Sequence, residues 1–173
     1  MTETIEIRRA SAADGELLAS LGARTFFDSF GEDNRPESMA AYMASAFSSE
    51  MLAAELVEQG SVFLIAEVED AVAGYARLRE GRSPEQVPGR RLVELARLYA
   101  QRGYIGKGVG SALMQACLDE ARGRGCDSIW LGVWSENQRG IDFYRRWGFS
   151  EVGTQVFHLG DEAQSDLVMQ RPI

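Results

Sequence analysis

The chain has 173 residues, 45% of them hydrophobic and 25% charged, a balance that suits one folded domain over 1–173 and excludes a disordered or membrane-embedded chain. Its formal net charge of −8 disfavours nucleic-acid phosphates as partners and favours cations, although the same excess also serves plain solubility. Two cysteines without CxxC spacing and a single histidine exclude a zinc site or disulfide framework, and with no apolar leader a metal-free cytoplasmic protein is expected.

Residues 4–10 alternate enough for a first strand. Ser11 and Asp14 have capping-box spacing, with Asp for the usual Glu or Gln, and predict a helix over 14–30. Turn residues at Gly31, Asn34 and Pro36 separate it from two short helices over 37–47 and 49–60, the second ended by Gly60. Residues 61–68 and 71–79 read as a hairpin, and 91–100 as a fourth strand. Val109, Leu113, Ala116, Cys117 and Ala121 trace a helical face interrupted by Glu120, which closes at Gly123 and Gly125. A strand over 127–134, a short helix capped by Ser135, and strands over 150–159 and 163–170 complete an α/β order with helices on both faces of a central sheet.

Between the fourth strand and the long helix stands YIGKGVGS, residues 104–111. A phosphate-binding loop of the form GxxxxGK[ST] fails twice, because position 101 is Gln and position 108 is Gly. A dinucleotide fingerprint fails as well, since the residue three beyond its second glycine is Ser111 in one register and Leu113 in the other. What remains is GxGxG opening a helix. Unpaired N–H groups at such a start suit a pyrophosphate, and glycines remove the Cβ atoms that would hold it off. The alternative for GxGxG alone is a flexible connection.

LYAQRGYIGKGVGSALMQACLDEA followed by IWLGVWSENQRGIDFYRRWGF resembles the Gcn5-related N-acetyltransferase family. The resemblance implies a mixed sheet of about seven strands with helices on both faces, acetyl-CoA as acetyl donor and an amine as acceptor. Its loop pattern begins with Arg or Gln, where this chain has Ile105. Further stretches, VAGYARL and FHLGDEAQSDLVMQ among them, are similar to the bacterial spermidine/spermine acetyltransferase subgroup, except that Gln155 stands where that subgroup carries His, and His158 lies beyond. A polyamine acceptor follows from that likeness; a protein N-terminus, a xenobiotic amine or a non-catalytic CoA sensor are the rivals.

Residue by residue, the resemblance gives the main chain of Gly106, Lys107, Gly108, Val109, Gly110 and Ser111 to the pyrophosphate, with Lys107 and Ser111 adding side-chain contacts. Leu98, Tyr99 and Ala100 would part from the neighbouring strand and pair with pantetheine amides. Asn137 and Tyr144, two helical turns apart, would share the pantetheine arm, Tyr144 donating to the leaving thiolate. Glu94 is either a base for the amine or an ordinary paired strand carboxylate. Asp28 and Glu32 would attract a cationic amine or be ordinary solvated helix charges, and Phe26, Phe27 and Phe30 would wall its methylenes or pack in the core. A homodimer is compatible with the family, and no residue in the sequence marks an interface.

Overall fold

Alternation along SVFLIAEV sets the layers in the computed structural model, which describes residues 3–173; Met1 and Thr2 of the expected domain lie outside the described residues. In β2 (Ser61–Val68) Val62, Leu64 and Ala66 face one side and Phe63 and Ile65 the other, and all five are buried. A strand apolar on both faces needs cover on both. On the Phe63 side it comes from α1 (Gly15–Phe30), α2 (Pro36–Ala46) and α3 (Ser49–Val57), through Leu18, Leu21, Met39 and Leu52. On the other side α4 (Val109–Gly123) contributes Leu113, Met114, Cys117 and Ala121, and α5 (Gln138–Arg146) contributes Ile141.

With β1 (Ile5–Arg9), β3 (Ala71–Arg79), β4 (Leu92–Ala100), β5 (Ser128–Trp134), β6 (Ser150–Leu159) and β7 (Glu162–Pro172), the sheet runs β1-β2-β3-β4-β5-β7-β6. Only β4 and β5 pair in parallel. The seven-stranded mixed sheet is the one the sequence led us to expect. Glu120, the polar intruder on the α4 face, pairs with Arg9 and Arg124.

Local boundaries differ in instructive ways. The Ser11–Asp14 capping box is present, yet it opens a single 3-10 turn before α1. α3 stops at Val57 with Glu58 already extended, so Gly60, at φ +84°, turns the chain into β2 rather than capping the helix. The cap of α5 is Asn137, not Ser135.

Candidate active site

Parallel pairing between β4 and β5 lasts for three residues, ending at Glu94 opposite Trp130. Beyond that point β4 remains bonded to β3 as far as Ala100, and β5 to β7 as far as Trp134. The two strands therefore splay, and one edge of residues 95–100 has no strand beside it. A bulge contributes: Arg77 faces Arg97 and Leu78 faces Leu95, leaving Ala96 as an extra residue that bends β4. The gap opens into a cleft of about 1040 Å³ lined by Leu98, Tyr99 and Ala100 on one side and Gly132, Val133 and Trp134 on the other. Free backbone edges of this kind accept an extended amide chain as they would another strand.

One end of the cleft is the glycine turn. Gly106 and Gly108 sit at φ +80° and +87°, conformations that L side chains rarely adopt, and Gly108 is the N-cap of α4. The first intrahelical bond is donated by Ala112 N–H to the Gly108 carbonyl at 3.0 Å. The N–H groups of Val109, Gly110 and Ser111 therefore have no acceptor within the helix. A Cβ added at Gly106 would meet nothing within 4 Å, so the space above the turn is open. Gly106, Gly108, Gly110 and Ser111 line the cleft, and this cradle fits the pyrophosphate of coenzyme A.

Two members of that stretch take other positions. The Val109 side chain is buried in the core, leaving only its N–H for a ligand. Lys107 lies outside the lining; its N–H closes a turn onto the Tyr104 carbonyl at 3.3 Å, and its ammonium stands 5.9 Å from the Tyr104 ring centroid. The cations that line the cleft include Arg102, Arg139 and Arg146, which sequence reading missed. Arg139 and Arg146 repeat the seven-residue spacing that singled out Asn137 and Tyr144, and that was the available signal.

Asn137 and Tyr144 both line the cleft. The Asn137 side-chain oxygen accepts from Gly140 N–H at 3.0 Å, holding its amide at the helix start. A Cβ on Gly140 would come within 2.6 Å of Asn137 Nδ2, so glycine at 140 is what lets Asn137 fold over its own helix. Tyr144 packs edge-on against Phe149 and Phe143, and burial pushes its phenol well above the usual tyrosine range. It therefore keeps its proton near neutral pH and is able to donate it.

At the other end the lining is aromatic: Phe26, Phe30, Tyr42 and Phe157 join Tyr99 and Trp134. Phe30 meets the rings of Tyr99 and Trp134 edge-on, with centroids 6.4 and 6.0 Å away. Of the three phenylalanines expected in this wall, Phe26 and Phe30 line it, whereas Phe27 points outward and is 54% exposed. Glu32 also lies outside the cleft, whereas Asp28 lines it and pairs with Arg102 at 3.6 Å.

Glu94 needs the plainest correction. It is buried, bonded to Arg79 at 2.6 Å and Arg82 at 3.4 Å, and absent from the lining. Of the two readings open for it, the paired strand carboxylate is the one the fold realises. The cleft contains two carboxylates, Asp28, which pairs with Arg102, and Asp166, on β7 opposite Trp134. Burial pushes the Asp166 carboxyl up to about 6, opposed only by a hydrogen bond from Gln155.

A sheet opened between two parallel strands, with a glycine-cradled helix start at one end and a phenol beside the gap, defines a transferase that takes its acyl group from coenzyme A. The chain belongs to the acetyltransferase (GNAT) family, whose model matches residues 16–149. It is accordingly an acetyl-CoA-dependent N-acetyltransferase. An uncharacterized N-acetyltransferase of Mycobacterium tuberculosis is 36% identical over 160 residues, 92% of this chain and 98% of its own. The N-alpha-acetyltransferase RimI of the same organism is 29% identical over 153 residues, covering 88% of this chain and 82% of its own. The PaiA N-acetyltransferase of Thermoplasma acidophilum, solved in complex with coenzyme A, shares the fold at a TM-score of 0.77 and 24% identity, over 98% of this chain and 99% of that one. Among the described residues no cluster of His, Cys, Asp or Glu could hold a metal ion, and no helix is long and apolar enough to cross a membrane.

Proposed function

We propose that residues 1–173 act as one catalytic domain that moves an acetyl group from acetyl-CoA to a primary amine by direct attack, in the cytoplasm. The observation that carries this is the splay: beyond Glu94 the free edge of β4 runs toward the Gly106–Ser111 turn, so thioester and pyrophosphate have one continuous track. Along it, main-chain N–H groups of residues 106–111 hold phosphate, and the edge at Leu98, Tyr99 and Ala100 aligns the pantetheine. An N–H on that edge polarises the thioester carbonyl, a contact worth several kcal/mol in comparable sites. Asn137 steadies the pantetheine arm, and Tyr144 donates to the departing sulfur.

A free alkylamine is neutral in fewer than about one molecule in a thousand at pH 7, so the acceptor must lose a proton in the site. Polyamines such as spermidine and spermine are the acceptors the subgroup resemblance favours, and the net charge of −8 draws any cation. The cleft lends them less support. Glu32 lies outside it and Asp28 is engaged by Arg102, whereas a multiply charged chain calls for several free carboxylates. A protein N-terminus is the second reading, supported by the likeness to RimI.

The test is thiol release from acetyl-CoA across a panel of amines and peptides. Turnover with at least one amine is expected. Binding of coenzyme A without turnover on any of them would leave a non-catalytic sensor.

A further inference from the structure

Carboxylates in the interior of this molecule come with cations. Glu55 holds Arg97 at 2.8 Å and Arg77 at 2.7 Å, Glu94 holds Arg79, and Glu80 holds Arg91 and Arg124. Asp166 is the exception. It is 7% exposed, it lines the cleft, and no Lys, Arg or His among the described residues forms an ion pair with it. A buried carboxylate without a cation is costly to ionise, so its retention in a binding cleft points to a cation that arrives from outside.

The position of the group is specific. Gly132 lies two residues beyond Trp130, where β4 and β5 have already separated, and a Cβ there would stand 3.1 Å from Asp166 Oδ2 and collide with the Gln155 amide. The Asp166 carboxyl therefore leans over the bare backbone of Gly132, beyond the point where β4 and β5 part. The groups facing it are Gln155 from β6, Trp134 from β5 and Tyr42 from α2, whose phenol the carboxylate helps to raise. Arg97 and Arg79 act on Tyr42 too, but each is held by a carboxylate of its own, Glu55 and Glu94. Around Asp166, the one lining carboxylate among the described residues without an ion pair (Asp28 is held by Arg102), the walls are the rings of Phe26, Phe30, Tyr42, Trp134 and Phe157.

We propose that Asp166 is the catalytic residue that receives the acceptor's ammonium group, and that the acceptor is a small, singly charged amine on an apolar or aromatic body. This rests on the acetyltransferase reading above. One carboxylate answers one positive charge, and aromatic walls solvate a ring or alkyl body better than the second and third ammonium groups of a polyamine. In the step, the ammonium gives one proton to the Asp166 carboxylate and the freed lone pair forms the C–N bond at the thioester carbonyl. The C–S bond breaks with its electron pair going to sulfur. The second nitrogen proton reaches that sulfur by way of the Tyr144 hydroxyl, and Asp166 returns its proton to solvent.

The experiment compares 2-phenylethylamine, spermidine and an alanine-initiated pentapeptide as acceptors for the wild type and Asp166→Asn, from pH 5 to 9, with titrations of coenzyme A and thermal melts on both proteins. The expected result is a kcat/KM for 2-phenylethylamine about tenfold or more above the other two. Asp166→Asn should lower it about a hundredfold with coenzyme A affinity unchanged, and should erase an acid limb near pH 6. The wild-type ranking and limb need no variant, so misfolding of Asp166→Asn would not shelter the claim. Preference for spermidine or the peptide, or Asp166→Asn activity within about threefold of wild type, overturns the inference while leaving the acetyltransferase reading intact. Tight coenzyme A binding with no turnover of any amine would instead remove that reading, and this inference with it.

Discussion

At the α4 end of the cleft the working groups are main-chain N–H donors, whereas at the β7 end they are side chains gathered from five distant stretches of sequence. Phosphate binding asks only for backbone and empty space, which Gly106 and Gly108 provide within three residues. Amine binding asks for a carboxylate in an apolar wall, and here that draws on α1, α2, β5, β6 and β7. The first device is local and leaves a spacing in the sequence; the second exists only once the sheet has formed.

The largest effect is expected from filling the local device. Gly108→Val adds a branched side chain at φ +87°, a conformation that costs a bulky residue about 1–2 kcal/mol, and it intrudes on the phosphate cradle. Coenzyme A affinity should fall by a factor of about a hundred or more in calorimetric titration while circular dichroism reports a folded protein. Tyr144→Phe comes next: kcat should drop about a hundredfold with the coenzyme A dissociation constant unchanged, because the hydroxyl is needed only when sulfur departs.

The β7 end makes an opposite prediction for stability. Asp166 has a folded-state pKa of about 6 against an ordinary 3.8, so the fold binds its proton more tightly than the unfolded chain does. That preference favours the folded state in full below pH 4 and is lost as pH rises to about 6 and beyond, a difference of about 3 kcal/mol. Asp166→Asn should therefore melt higher than wild type at pH 7 and level with it near pH 4, even as it loses activity. A catalytic group held at the expense of stability behaves this way; a structural one would not. Asn137→Ala should have the smallest effect, a loss of about 1 kcal/mol from the missing α5 cap together with a higher KM for acetyl-CoA.

The contrast also explains what could be read from the sequence. The glycine turn and the Asn137–Tyr144 pair were legible because each is encoded within one element by spacing, whereas the splayed strand end was implied only by the family resemblance. Glu94 was left ambiguous for a physical reason. Val93 and Leu95 pack on the α4 side of the sheet, but after the bulge at Ala96 it is Leu98 and Ala100 that do so. A strand pattern cannot register that slip, so the sequence could not show that the gap begins only beyond Glu94 and left its two readings open. Phe27 falls outside the wall that Phe26 and Phe30 line because adjacent positions on α1 differ by about 100°. Asp166 looked like any polar position of an alternating strand, and its missing cation shows only when the neighbouring strands are in place.

Crystals of the protein with coenzyme A offer the most direct check on the claim that one splayed cleft serves both ends. The pyrophosphate should lie within hydrogen-bond reach of the N–H groups between Gly106 and Ser111, with the pantetheine amides along Leu98–Ala100 and the sulfur between Tyr144 and Asp166. A nucleotide seated anywhere else, or β4 and β5 drawn together over the gap, would contradict the account.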